Sequence, residues 1–274
     1  MAGAVPVLVT RPQREAAQWV EGLRGHGLAA RALPLIDIRA LQAPELVQAL
    51  AQARERLAQY RAVMFVSPNA VGHFFQDFKP NPLSVGVDQA PTAIDTRAWA
   101  PGPGTVQALV QAGVAAGRIA APAAGSAQFD SEALWHCVAA QVRPGDRVLI
   151  VRGSGAPAVE GGQGRQWLAE QLRAAGAAVD LVAAYERAAP QLSQEDLALA
   201  RDAAHGHGLW LFSSSEALAH LQALLPQQDW RQARAIATHP RIAQAARHAG
   251  FGAVHECRPT LSDVATSIKS LYAH

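Results

Sequence analysis

Short apolar runs alternate along the chain with stretches in which apolar positions return at helical spacing. Val7-Leu8-Val9-Thr10-Arg11-Pro12 is β-branched until it meets a basic turn, and the helical pattern of Ala16 to Gly27 follows, closed by glycine. The same order returns at Val148-Leu149-Ile150-Val151-Arg152-Gly153, followed by Trp167 to Gly176. A second motif, Met64-Phe65-Val66-Ser67-Pro68-Asn69-Ala70-Val71, is matched by Leu211-Phe212-Ser213-Ser214-Ser215-Glu216-Ala217-Leu218; both read as strand, turn and helix N-cap. A third, Trp99-Ala100-Pro101-Gly102-Pro103-Gly104-Thr105 leading to Gly113, is matched by Ile236-Ala237-Thr238-His239-Pro240-Arg241-Ile242 leading to Gly250.

The three motifs therefore occur twice, in one order, at a spacing of about 140 residues. Strands alternating with helices predict parallel sheets with right-handed crossovers, so the expected fold is α/β with two similar parallel-sheet lobes. Ligands of such sheets bind outside the carboxyl ends of the strands, where all six turns fall. Two other segments, Leu33 to Ile38 and Leu181 to Arg187, are extended and apolar. Periodicity leaves them two readings, second strands or, given the prolines at Pro44 and Pro190, connectors between lobes.

Composition narrows the function classes. With 274 residues, 50% of them apolar, the chain has the length and core for two domains, which argues against disorder. A net charge of +2 from 24 basic and 22 acidic residues offers no field for a nucleic-acid backbone, so an anion must be bound locally. Cys137 and Cys257 lack metal-ligand spacing and read as small core residues in a reducing compartment. Met1 to Pro12 reaches charge and proline too early for a signal sequence, and no run of about 18 apolar residues follows. A cytoplasmic monomer is expected, with no membrane or nucleic-acid partner. No His-x-x-x-His pair or nucleophile elbow supports a metalloenzyme or hydrolase, and no metal is expected.

Val9-Thr10-Arg11-Pro12, Pro34-Leu35-Ile36, Ser67 to Val71, Gly102 to Thr105 and Tyr185-Glu186-Arg187 resemble, in order and spacing, the landmarks of the uroporphyrinogen-III synthase family over nearly the whole chain. The resemblance implies two α/β lobes joined by a two-stranded connector, the first lobe discontinuous in sequence. Residues 1–34 and 189–274 would form lobe one, 43–181 lobe two, and 35–42 and 182–188 the connector strands. It also implies a reaction of haem biosynthesis: closure of the tetrapyrrole hydroxymethylbilane to uroporphyrinogen III, with loss of water and inversion of the terminal pyrrole, and no cofactor. Loss of the hydroxyl leaves an electrophilic azafulvene, which the far ring attacks to give a spiro intermediate that reopens and recloses reversed. Uncatalysed closure gives the unrotated isomer, so the protein must mainly hold a folded substrate and stabilise developing charge.

The substrate's eight carboxylates suit strand-end amides and helix N-termini in a cleft between lobes. Arg11 and Arg152, ending the first strands beside Pro12 and Gly153, can pair with carboxylates or with their own lobe. Gly102, Pro103, Gly104 and Thr105 form a turn that admits close backbone approach, with Thr105 able to cap a helix or donate to an anion. Ser67, Asn69, Ser213, Ser214 and Ser215 read either as anion donors or as plain capped turns. The second copy of the third motif departs from the usual family pattern of small hydroxyl residues, and Thr238, with Arg241, is expected to take over its contacts. Tyr185 matches the family's cleft tyrosine; phenols titrate near about 10, so it can give a proton to the departing hydroxyl at neutral pH.

Two rivals use the same residues. Gly153-Ser154-Gly155-Ala156-Pro157-Ala158 is a loose dinucleotide fingerprint with Glu186 downstream, but Pro157 and Gly161-Gly162-Gln163-Gly164 delay the helix it needs. A non-catalytic two-lobed binding protein for an anionic small molecule is the alternative, since clefts between lobes are general ligand sites.

Overall fold

The computed structural model describes residues 5–76, 83, 95–155 and 163–272. The chain opens with β1 (Val7–Val9), α1 (Gln13–Gly25) and β2 (Ala30–Ala32). It continues through β3 (Asp37–Arg39), α2 (Pro44–Glu55), β4 (Ala62–Phe65), α3 (Pro68–Phe75), β5 (Arg97–Trp99), α4 (Pro103–Gln111), β6 (Ile119–Ala120) and α5 (Ser131–Val138). Then come β7 (Arg147–Ser154), α6 (Gln163–Ala174) and β8 (Ala178–Ala188). It closes with α7 (Gln194–Asp202), β9 (Leu209–Phe212), α8 (Ser215–Leu224), β10 (Arg234–Ala237), α9 (Pro240–His248), β11 (Ala253–Glu256) and α10 (Leu261–Tyr272).

Among the described residues, those up to Asp37 and from Ala188 onward cluster into one compact unit, and Ile38 through Arg187 into another. The first unit holds a five-stranded sheet in the order β11-β10-β9-β1-β2, and every pairing in it is parallel. The second holds a six-stranded sheet, β3-β8-β7-β4-β5-β6, parallel from β8 to β6. Counted from β1 in one and from β7 in the other, both sheets contain the order 2-1-3-4-5 of a doubly wound fold, with β3 added beside β8 in the second. The second unit is a circular permutation of the first. Each sheet joins the first motif of one sequence copy to the second and third motifs of the other.

Strand register repeats along with the order. Val9 faces Leu211, which faces Ile236; Ile150 faces Met64, which faces Trp99. These are the residues that the repeat in sequence aligns. The strands carry unbroken apolar runs because both faces are buried. In the second sheet Val63, Phe65, Leu149 and Val151 pack with α2 and α3, while Met64, Trp99, Val148 and Ile150 pack with α5 and α6. In the first sheet Val7, Val9, Leu209, Leu211 and Ile236 pack with α1 and α10. Trp210 and Phe212 on its other face meet Trp230 and Phe251. After α4 and α9 the matched Gly113 and Gly250 have φ of 85° and 91°, a turn that a side chain disfavours.

The structure departs from the sequence reading at Arg152 and Gly153 and at Cys137. Arg152 and Gly153 do not form a turn: β7 runs on to Ser154, because β8 continues alongside and supplies ladder partners as far as Glu186. Of the segments with two readings, Leu33 to Ile38 runs into β3 and Leu181 to Arg187 lies within β8; the two strands are neighbours at one side of the six-stranded sheet. Cys137 is exposed on α5 and not a core residue, with its thiol donating to the Ala133 carbonyl. Of the dinucleotide fingerprint, Ala156 to Gly162 lie outside the described residues, and Gly153 is a strand residue where a phosphate turn would be needed.

Candidate functional site

Parallel pairing brings the ends of β4, β5, β7 and β8 to one edge of the second sheet. β4 ends in Ser67, the N-cap of α3, whose Oγ accepts from the Ala70 amide at 3.2 Å. Pro68 at the first helical position presets the backbone, and Asn69 follows it, half-buried. β5 ends in Gly102, which and not Thr105 is the N-cap of α4; Thr105 lies inside the first turn and is buried. Pro103 and Gly104 are exposed, and a Cβ on Gly104 would sit 3.7 Å from Pro68, so the two turns are neighbours.

Tyr185 is placed by an irregularity in the ladder. β7 and β8 pair in step as far as Arg152 and Ala183; then Gly153 faces Tyr185, so Ala184 is the extra residue of a bulge. The phenol ring lies against Gly153, where an added Cβ would come within 2.6 Å of it. Ser154 Oγ donates to the Tyr185 carbonyl at 3.2 Å, fixing the backbone beyond the bulge. The ring is 3% exposed and its hydroxyl is 3.0 Å from Ser67 Oγ. The His73 imidazole lies against the ring, 5.5 Å between centroids and inclined by 29°. Burial lowers the pKa of His73 from its ordinary value, which keeps the ring neutral at pH 7. Arg152 is half-buried with its Nε enclosed and unbonded.

The first sheet's carboxyl edge is organised differently. Arg11 bonds Glu15 at 3.2 Å and lies 4.3 Å over Trp19, an attachment within its own unit. Burial lowers the guanidinium pKa, and Glu15 opposes the shift. Pro12 is the N-cap position of α1. Ser214, the counterpart of Ser67, caps α8 by accepting from the Glu216 amide at 3.2 Å, and Ser215 opens that helix. Ser213 has a buried hydroxyl without a hydrogen-bond partner. Thr238 is buried, and its amide donates to Phe212. His239 caps α9: its Nδ1 accepts from the Arg241 amide at 3.1 Å.

The structure thus brings Ser67, Gly153 and Tyr185 into contact, sets Gly102 to Gly104 beside them, and places Arg11, Pro12, Ser213 to Ser215 and Thr238 at the equivalent edge of the other unit. His73 had no sequence signal, and Ser154 appeared only within the rival dinucleotide fingerprint. A stack between residues so far apart leaves no local pattern. A separate cavity of 370 Å³ at the amino ends of β7 and β8 is lined by Tyr60, Arg147 and Asp180. There Asp180 accepts from Tyr60 at 2.9 Å and from Arg147 at 2.7 Å, while Arg147 Nε is enclosed without a partner. Burial, with Asp180, pushes the Tyr60 phenol up to about 12. Among the described residues no three His, Cys, Asp or Glu side chains converge as metal ligands, and no helix is long and apolar enough to cross a membrane.

Comparison with known proteins agrees with this architecture. A curated uroporphyrinogen-III synthase from Chlorobaculum parvum is 32% identical over 108 residues, which span 39% of this chain and 39% of that protein. Two solved structures share the fold along nearly their whole length. A mutant uroporphyrinogen III synthase from the extreme thermophile Thermus thermophilus matches at a TM-score of 0.53 and 17% identity, covering 99% of this chain and 100% of that one. Uroporphyrinogen-III synthetase from Helicobacter pylori 26695 matches at 0.51 and 14%, covering 98% and 99%. The family model described as uroporphyrinogen-III synthase HemD matches residues 17–265, and the chain belongs to the uroporphyrinogen-III synthase family.

Proposed function

We propose that this protein closes hydroxymethylbilane to uroporphyrinogen III in haem biosynthesis, with Tyr185 as proton donor to the departing hydroxyl. The observation that carries the role is the Tyr185 hydroxyl 3.0 Å from Ser67 Oγ, at the N-cap of α3. The Ala70 amide already donates to Ser67 Oγ, which polarises the serine hydroxyl. When Ser67 in turn donates to the phenol oxygen, the phenol's own proton is left to point at the substrate. As the C–O bond breaks, its electron pair goes to oxygen and the phenol proton completes a water molecule. The negative charge then growing on Tyr185 is met by the serine O–H and the positive end of α3.

Carboxylate recognition on this reading is shared among strand-end groups: Ser67, Asn69, Gly102 to Thr105, Arg152 and Gly153 on one sheet, Arg11, Pro12, Ser213 to Ser215 and Thr238 on the other. Helix N-termini bind anions without net charge, which agrees with a balance of only +2. The lobes in this reading are 1–34 with 189–274 and 43–181, connected through 35–42 and 182–188. The protein acts as a cytoplasmic monomer without cofactor.

The test is to supply freshly made hydroxymethylbilane and separate the isomers after oxidation. Isomer III in excess over the enzyme-free control is expected; isomer I alone overturns the activity. Tyr185→Phe should lower turnover about a hundredfold. If it keeps full turnover and product ratio, the phenol is not the proton donor.

A further inference from the structure

Helix α3 is fixed at both ends. Ser67 caps its start, and at its finish Arg54 of α2 donates to the carbonyls of His73 at 2.7 Å and Phe74 at 2.9 Å. A cation on the last carbonyls suits the negative end of the helix. So held, α3 presents two groups to one phenol: Ser67 meets the hydroxyl and His73 meets the ring. On the strand side Tyr185 rests against a glycine, so β7 offers no side chain to restrain it there. The helix thus supplies two of the ring's contacts, one to its hydroxyl and one to its face, alongside the core residues that bury it.

We propose that His73 is a positioning residue for Tyr185, its stacked imidazole setting the plane of the phenol so that the hydroxyl remains directed at Ser67 and the substrate. The proposal rests on Tyr185 being the proton donor. A neutral imidazole suits the task, because it stacks without placing a charge against the phenol. Proton transfer depends steeply on direction, so a ring free to tilt should lower kcat and leave binding almost untouched.

The test uses the full chain labelled with 13C-tyrosine and three variants, His73→Leu, His73→Phe and Tyr185→Phe. The chain has three tyrosines, and the resonance lost in Tyr185→Phe assigns Tyr185. Leucine fills the space without a ring; phenylalanine restores one. His73→Leu should remove the ring-current shift of Tyr185 and lower kcat about tenfold with KM changed less than about twofold, and His73→Phe should retain both. An unmoved Tyr185 resonance in His73→Leu overturns the proposal, as does a kcat equal in the leucine and phenylalanine variants. An unsubstituted chain making only isomer I overturns the activity instead, and the resonances then judge the stack alone.

Discussion

The two carboxyl edges share strand order, register and cap positions, yet they spend their side chains differently. In the first unit Thr10 Oγ1 donates to the Leu211 carbonyl at 2.8 Å, Arg11 is bound to Glu15, and His239 caps its helix with a ring nitrogen. In the second unit Val151 stands where Thr10 would be, Gly153 where Pro12 would be, and Gly102 where His239 would be. The first edge spends these side chains on bonds within its own unit; the second has glycine at two of the matched positions, and a phenol packs over one of them. Duplicated topology supplies two equivalent edges, and the proposed chemistry belongs to the one that carries the phenol.

The strongest way to break that contrast is to fill the glycine. Gly153→Ala sets a Cβ 2.6 Å from the Tyr185 ring, so the buried ring must shift from its present place. Turnover should fall about a hundredfold, with overpacking costing about 1–3 kcal/mol in denaturant unfolding. Full turnover in this variant would mean that Tyr185 does not act from its present place.

Next in size is a comparison of the two serine caps. Ser67→Ala and Ser214→Ala each remove one N-cap acceptor, and each should cost about 1 kcal/mol of stability. Only Ser67 also touches a phenol, so only Ser67→Ala should lower kcat, by about tenfold, and its effect should shrink in a Tyr185→Phe background. Equal kinetic effects from both serines would remove the asymmetry between the edges.

A smaller effect is expected from exchanging the strand-end residues. Thr10→Val removes a buried donor but leaves the Leu211 carbonyl the Thr10 amide, at 3.4 Å, so about 1 kcal/mol should be lost with turnover unchanged. Unfolding by denaturant measures this directly. A stability unchanged by the substitution would show that the hydroxyl does not brace the first edge.

Much of this frame was legible in the chain because its signals are local. Apolar runs, Pro at the start of helices and glycine at their ends marked β1, β4, β5, β7, β9 and β10, and the repeat aligned residues that the registers pair. The short outer strands β6 and β11 had little pattern, since an edge strand of two or four residues is half-buried and need not alternate. Tyr185 and Ser67 both entered through family resemblance, but their contact did not. Ser67 is 118 positions away, and their meeting depends on a bulge at Gly153 that no periodicity announces. His73 looked like any polar residue on a short helix. The correction at Thr105 is of the same kind: a threonine three places after Gly102 resembles a cap until the backbone shows where the helix begins.

The mildest probe of the contrast uses the two thiols, one in each unit. Cys257 follows β11 at the first unit's carboxyl edge, its amide donating to the Ala237 carbonyl at 3.0 Å. Burial, with the Asp263 carboxylate nearby, pushes its thiol from 9.0 up to about 11, while Ser267 and Arg11 pull weakly the other way. Near pH 8 roughly one molecule in a thousand then carries the thiolate that reacts. Cys137 is exposed on α5 of the second unit. A disulfide reagent at pH 8 should therefore show one fast thiol and one slow, the slow one accelerating about tenfold per pH unit until the medium approaches its pKa. Cys137→Ser should abolish the fast phase alone. If Cys257 instead reacted quickly at pH 8, the first edge would be wetter than its bonds indicate, and those bonds could not be what separates it from the edge that carries Tyr185.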